Sequence, residues 1–195
     1  MIKIRTEMKN VLIISGHTDL ATSVANKTIL ETLGNRLPEA EIVKLDELYP
    51  DFKINVEAEQ QRLLRADIIV LQFPVFWYSA PSILERWMEE TFRHGFSHGS
   101  TGDKLKGKKL ILSFTTGAPE AMYSREGAMG YDIEEFLPCY KATCRLCQME
   151  FAGYVYTGGV SYGNRTSPEL IEQQKSVSVK HALRLIELLE KISHR

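Results

Sequence analysis

Three aromatic residues in a row, Phe76, Trp77 and Tyr78, stand between Pro74 and Pro81 in the stretch "PVFWYSAP". The prolines fix φ at either end, so the backbone is held while the rings project. Aromatic rings often plug the junction between a sheet and a helix. Three consecutive ones cannot all point inward, and at least one must reach a surface or a flat ligand. Earlier, "GHTDLATSVAN" sets Thr22 and Ser23 ahead of a helical pattern, with the backbone N–H groups of Val24, Ala25 and Asn26 at its start. Such groups and the helix dipole attract phosphate, at about 0.3 to 1 kcal/mol per nearby charge. A hydroxyl there is also an ordinary N-cap. Later, "TTGAPEAMY" opens with Thr115, Thr116, Gly117 and Ala118, which offer hydroxyls and close backbone approach. It ends in Tyr123, whose hydroxyl can donate to a developing anion, though a tyrosine on a surface loop is common. A phosphate seat, an aromatic platform and a polar wall together suit a planar phosphorylated ligand.

These segments serve one site only if the elements between them bring them together. "NVLIIS" (10–15), "AEIVKL" (40–45), "DIIVLQF" (67–73), "KKLILSF" (108–114) and "AGYVYTGGV" (152–160) read as strands, the first a short apolar run buried on both faces. Helical patterns alternate with them at "ANKTILETLGNRL", "EAEQQRLLRA", "APSILERWMEETF" with Pro81 in its first turn, and "IEEFLPCYKATCRLC", which Pro138 should break or kink. A closing helix follows at "PELIEQQKSVSVKHALRLIELLEKI". Such alternation predicts an α/β fold: a five-stranded parallel sheet with helices on both faces, joined by right-handed crossovers. Ligands of these sheets bind beyond the carboxyl ends of the strands, where strand order reverses. The three segments are the loops after the first, third and fourth strands.

Composition narrows the chemistry. The 195 residues are 44% hydrophobic and 25% charged, which predicts a single globular domain over 1–195, with residues 1–9 as a candidate extension. A formal net charge of −1 argues against a nucleic-acid partner. No apolar run reaches the roughly 18 residues of a membrane span, and "MIKIRTEMKN" lacks the apolar core of a signal peptide, so the expected location is cytoplasmic. Cys139, Cys144 and Cys147 have the first spacings of a plant-type iron–sulfur site but no fourth cysteine, and read as buried helix thiols. "GVSYG" fits a hydrolase nucleophile elbow at Ser161, yet only the closing helix follows it, with His181 inside. His94 and His98 have no carboxylate or cysteine beside them, so no metal is expected.

The segments "HTDLATSVANK", "YPDFKINVEAEQQRLLRADIIVLQFPVFWYSAPSILERWMEETFRHGFSHG" and "LSFTTGAPEAMYS" resemble the flavodoxin-like family of NAD(P)H:quinone oxidoreductases. The similarity is greatest to its short bacterial members, the ancillary proteins of glutathione-regulated potassium efflux and the modulators of drug activity. The resemblance implies that the aromatic loop covers a flavin. It assigns His17, Ser23, Val24, Ala25 and Asn26 to the flavin phosphate and ribityl chain, and Pro74, Val75, Phe76 and Trp77 to the flavin ring. Thr115, Thr116, Gly117 and Ala118 fall beside its pyrimidine end, Ala118 replacing a second glycine. Tyr123 matches a tyrosine that acts in the larger enzymes with a histidine six residues on, a position held here by Met129. Methionine can donate no proton, so developing charge is left to the N–H groups of Thr116, Gly117 and Ala118 and to the Tyr123 hydroxyl. The resemblance further implies FMN rather than FAD, hydride transfer from NAD(P)H to quinone-like acceptors by ping-pong kinetics, and a homodimer. The alternative is a soluble regulatory subunit of a potassium-efflux membrane transporter, at the inner face of the membrane, with flavin as a structural or sensing element.

Overall fold

A computed structural model describes residues 9–193; the extension expected before Asn10 lies almost wholly outside the described residues. Five strands, β1 (Val11–Ser15), β2 (Glu41–Lys44), β3 (Ile68–Pro74), β4 (Lys109–Thr115) and β5 (Glu150–Thr157), pair in parallel in the order β2-β1-β3-β4-β5. The expected sheet is present: the first four strands match the expected bounds to within one residue at either end, and β5 begins before Ala152 and ends before Gly158. Among the described residues five helices lie between the strands, α1 (Ala25–Arg36), the single turn α2 (Leu45–Leu48), α3 (Val56–Arg65), α4 (Ser82–Thr91) and α5 (Pro138–Leu146), and a sixth, α6 (Pro168–Ser193), follows β5. Two details differ from expectation. Pro81 is the N-cap of α4 rather than part of its first turn. Pro138 opens α5, because its missing N–H costs nothing at that position, and a separate 3₁₀ turn, Ile133–Phe136, precedes it.

Alternation along the strands sorts the core into two layers. Leu12, Ile14, Ile69, Leu71, Phe73, Leu110, Leu112 and Phe114 face α3, α4 and α5, with Leu63, Leu84, Trp87 and Tyr140 packed on them. Val11, Ile13, Ile68, Val70 and Ile111 face α1 and α6, covered by Ile29, Leu33, Leu185 and Leu189. On the first face, Glu59 is fully buried and is bonded by Tyr49 Oη (2.7 Å), Trp87 Nε1 (2.9 Å) and Arg62 (2.5 Å), so the carboxylate is paired where water cannot reach it.

The second face changes character at its carboxyl end. There Ser15, Gln72 and Ser113 occupy the positions that Val11, Val70 and Ile111 fill lower down, and the parallel register sets them side by side. All three are buried. Helices α1 and α6 answer with Asn26 and His181, which bond to Gln72 (2.6 Å) and Ser113 (2.8 Å) respectively. The sheet therefore carries a polar shelf directly beneath the loops of interest.

Candidate active site at the strand ends

The β1 loop is folded back by its own side chains. Asp19 N–H donates to His17 Nδ1 (3.0 Å), and Leu20 N–H donates to Asp46 (2.6 Å). An accepting Nδ1 leaves the proton of the neutral imidazole on Nε2. Burial lowers the pKa of His17 below 6.5 and the nearby Arg165 lowers it further, against Asp46 and Asp19, which raise it. The Ser23 hydroxyl takes the Asn26 N–H at 3.1 Å. Asn26 therefore has no free backbone donor, contrary to expectation, and the N-cap role of serine holds at that one bond. No acceptor among the described residues meets the N–H groups of Val24 and Ala25.

The Asn26 side chain ties this loop to the others. Its Oδ1 accepts from Gln72 Nε2 (2.6 Å), which turns its Nδ2 towards Thr115 Oγ1 (3.3 Å) on β4. Sequence reading missed Gln72. A glutamine inside "IIVLQFP" was the available signal, since a polar residue in a fully buried strand needs a partner.

The aromatic loop is fastened at its base by the Val75 N–H, which donates to Thr115 O at 2.8 Å. Phe76 and Ser79 then exchange backbone bonds of 3.0 and 3.1 Å, closing a two-residue turn. Its central residues, Trp77 and Tyr78, have φ of 49° and 66°. That pair of positive angles is what a type I′ turn demands and what Asn-Gly normally supplies. For bulky residues it costs on the order of 1–3 kcal/mol each. The rings point outward from this turn: Trp77 is 93% exposed, Tyr78 48% and Phe76 41%. His17 meets Phe76 edge-on at 6.1 Å, so the first and second loops touch.

The third loop stands against both. Thr116 donates its hydroxyl proton to Ala118 O (2.8 Å) and so accepts from Tyr156 Oη (2.9 Å). Its N–H is spent on Thr157 O at 3.0 Å, which removes it from the donors expected to face a developing charge. The N–H groups of Gly117 and Ala118 have no acceptor among the described residues. Tyr123 is half-buried, edge-on to Phe136 (6.0 Å) and Tyr156 (6.1 Å), and burial holds its hydroxyl proton more tightly than the ordinary 10.0. Met129 is not idle: its sulfur receives the Tyr78 hydroxyl at 3.5 Å, while Phe136 stacks on the Tyr78 ring at 5.5 Å. The segment between β4 and α5 thus leans on the aromatic loop.

The remaining candidates take structural places. Cys144 and Cys147 are buried, and burial raises both thiol pKa values; Cys139 is exposed, against expectation, because it lies on the outer face of α5's first turn. Ser161 accepts from Gly163 N–H and starts a 3₁₀ turn, Tyr162–Thr166. His181 is fully buried between Ser113 and Thr157 and makes no approach to Ser161. His94 and His98 meet edge-on at 5.7 Å. No group of three or more His, Cys, Asp or Glu side chains suited to a metal forms among the described residues.

The donor set fits a flavin mononucleotide. Open N–H groups and a hydroxyl stand at the α1 start for a phosphate, exposed rings stand on the second loop, and the third carries two N–H groups without an acceptor among the described residues, available to a heterocycle. Comparison with known proteins agrees in kind. The uncharacterized NAD(P)H oxidoreductase YrkL of Bacillus subtilis is 39% identical over 147 residues, 74% of this chain and 82% of that protein. The ancillary protein KefF of the glutathione-regulated potassium-efflux system of an Enterobacter species is 42% identical over 123 residues, 63% of this chain and 69% of that protein. The crystal structure of general stress protein 14 from Treponema denticola, in complex with FMN, superposes with a TM-score of 0.82 at 28% identity, covering 92% of this chain and 99% of that one. A model of the family described by its flavodoxin-like fold matches residues 9–182. That match spans the whole sheet and all three loops, and with its strand order the chain belongs to the flavodoxin-like fold family.

Proposed function

We propose that the protein is an FMN-dependent NAD(P)H oxidoreductase that passes reducing equivalents to quinone-like acceptors in a ping-pong cycle. The observation that carries this reading is the Gln72–Asn26–Thr115 bridge, because it ties the start of α1 to β3 and β4 directly beneath the strand-end loops, at the β1/β3 switch point. Bound FMN would supply hydride acceptance and donation. Ser23 and the α1 start would hold its phosphate, with Val24, Ala25 and Asn26 along the ribityl chain and His17 offering Nε2–H beside them. Pro74, Val75, Phe76 and Trp77 would line the ring, and Thr115, Thr116, Gly117 and Ala118 its polar edge. Tyr123, kept protonated by burial, would donate to charge developing there.

The exposed rings also support a homodimer in which a second copy covers them, since an apolar rim of this kind is seldom left to water. Similarity to a potassium-efflux ancillary protein favours a second reading, a membrane-transporter partner; among the described residues no helix is long and apolar enough to cross a membrane itself. One preparation tests the main reading. The purified protein should be yellow, release FMN on denaturation, bleach with NADPH under argon, and sediment as a dimer. A colourless protein that takes up neither FMN nor FAD sinks the site and the function together, and a yellow, active monomer sinks the dimer alone.

A further inference from the structure

One cation at the rim of the crevice has no assigned work. Arg165 forms no ion pair with any carboxylate among the described residues. Its guanidinium lies over the Tyr162 ring, 3.4 Å from the centroid, and that ring is 71% exposed. Both residues sit on the turn after β5, which is held firmly: Gln174 Nε2 donates to Ser161 O (3.2 Å), Asn164 Nδ2 to Gly159 O (3.2 Å) and Thr166 Oγ1 to Gly163 O (3.3 Å). The base of the turn is zipped to the third loop by Val160 N–H to Thr116 O (3.1 Å) and Gly159 N–H to Ala118 O (2.9 Å). An arginine stacked on an aromatic ring keeps its planar fork pre-organised, and that fork matches phosphate oxygens. The charge is also felt at His17 in the β1 loop, as the smallest of four influences on its proton affinity.

We propose that Arg165, laid on Tyr162, is the anchor for a phosphate monoester at the rim of this site. Two ligands of the proposed reaction carry that group: the flavin mononucleotide itself, and NADPH, whose 2′-phosphate is what NADH lacks. The inference rests on the reading of the crevice as a flavin and NAD(P)H site. Tyr162 adds an exposed face on which an adenine or flavin ring can lie.

FMN and riboflavin are titrated by flavin fluorescence against the full chain stripped of flavin. NADPH and NADH are compared by the concentration dependence of flavin reduction in the FMN-loaded chain, or by calorimetry should the chain take up no flavin, in wild type, Arg165→Gln, Arg165→Lys and Tyr162→Leu. Losing one charge-assisted contact should weaken the monoester ligand roughly tenfold, with riboflavin and NADH unchanged, and Arg165→Lys should restore part of the loss. A drop in FMN alone assigns the anchor to the flavin phosphate, and a drop in NADPH alone assigns it to the 2′-phosphate. Tyr162→Leu should weaken the same ligand to a smaller extent. Unchanged FMN and NADPH affinities overturn the proposal, as does equal weakening of riboflavin or NADH, which would make Arg165 a matter of shape. Wild type that binds no flavin strikes the functional reading instead, and the NADPH-against-NADH comparison still decides on Arg165.

Discussion

Acid should loosen the strand ends through His181. The ring is fully buried, with Nε2 2.8 Å from Ser113 Oγ on β4 and Nδ1 2.8 Å from Thr157 Oγ1 on β5. Arg184 donates to the same Thr157 hydroxyl (2.6 Å) and to Tyr156 O (2.7 Å), so a positive charge stands one hydroxyl away from the ring. Burial first, and Arg184 second, bring the imidazole pKa down from 6.5 to about 3. The unfolded chain therefore binds a proton that the folded chain refuses at every pH between those two values. Stability is fully present above the unfolded value and is lost as pH falls towards the folded one. Between about pH 7 and about pH 5 the loss from this one residue comes to about 2 kcal/mol. Urea unfolding midpoints across that range, wild type against His181→Gln, isolate the term, because His17, whose pKa is also lowered, is common to both. The variant should be less stable at neutral pH and flatter in its pH dependence. Parallel curves would falsify the assignment. Should the variant not fold, the wild-type His181 ring resonance in NMR decides, since it should stay in its neutral position down to about pH 4.

Tyr123→Phe should slow flavin reduction by NADPH roughly tenfold in stopped flow, less than the loss of a fully enclosed oxyanion donor; a rate equal to wild type would leave the charge to the Gly117 and Ala118 N–H groups alone. Met129→His should leave that rate unchanged or faster, and a large decrease would show that the sulfur's grip on Tyr78 outweighs an added donor. Glu59→Gln should cost about 3 kcal/mol in denaturant unfolding, because an amide confronts the donors of Tyr49, Trp87 and Arg62 in a place without water. A loss below about 1 kcal/mol would place Glu59 among pairs of surface strength.

The sheet was legible because its causes are local. Runs such as "VLIIS" and "IIVLQFP" carry burial on both faces in their composition, and the helices between them leave only parallel pairing. The convergence of the three loops followed from that fold class, as did the position of the ring-bearing segment. What the sequence left open depends on partners far along the chain. Gln72 meets Asn26 across 46 residues, Ser113 meets His181 across 68, and Tyr78 meets Met129 across 51, and no spacing rule reaches that far. The commitment of the Thr116 N–H to Thr157 is a fact of register between β4 and the end of β5. The turn at Trp77 and Tyr78 shows the division most sharply. Residue types there promise exposed rings, but local preference argues against positive φ for either, and only the sheet, holding Val75 to Thr115 at one end and α4 at the other, imposes it.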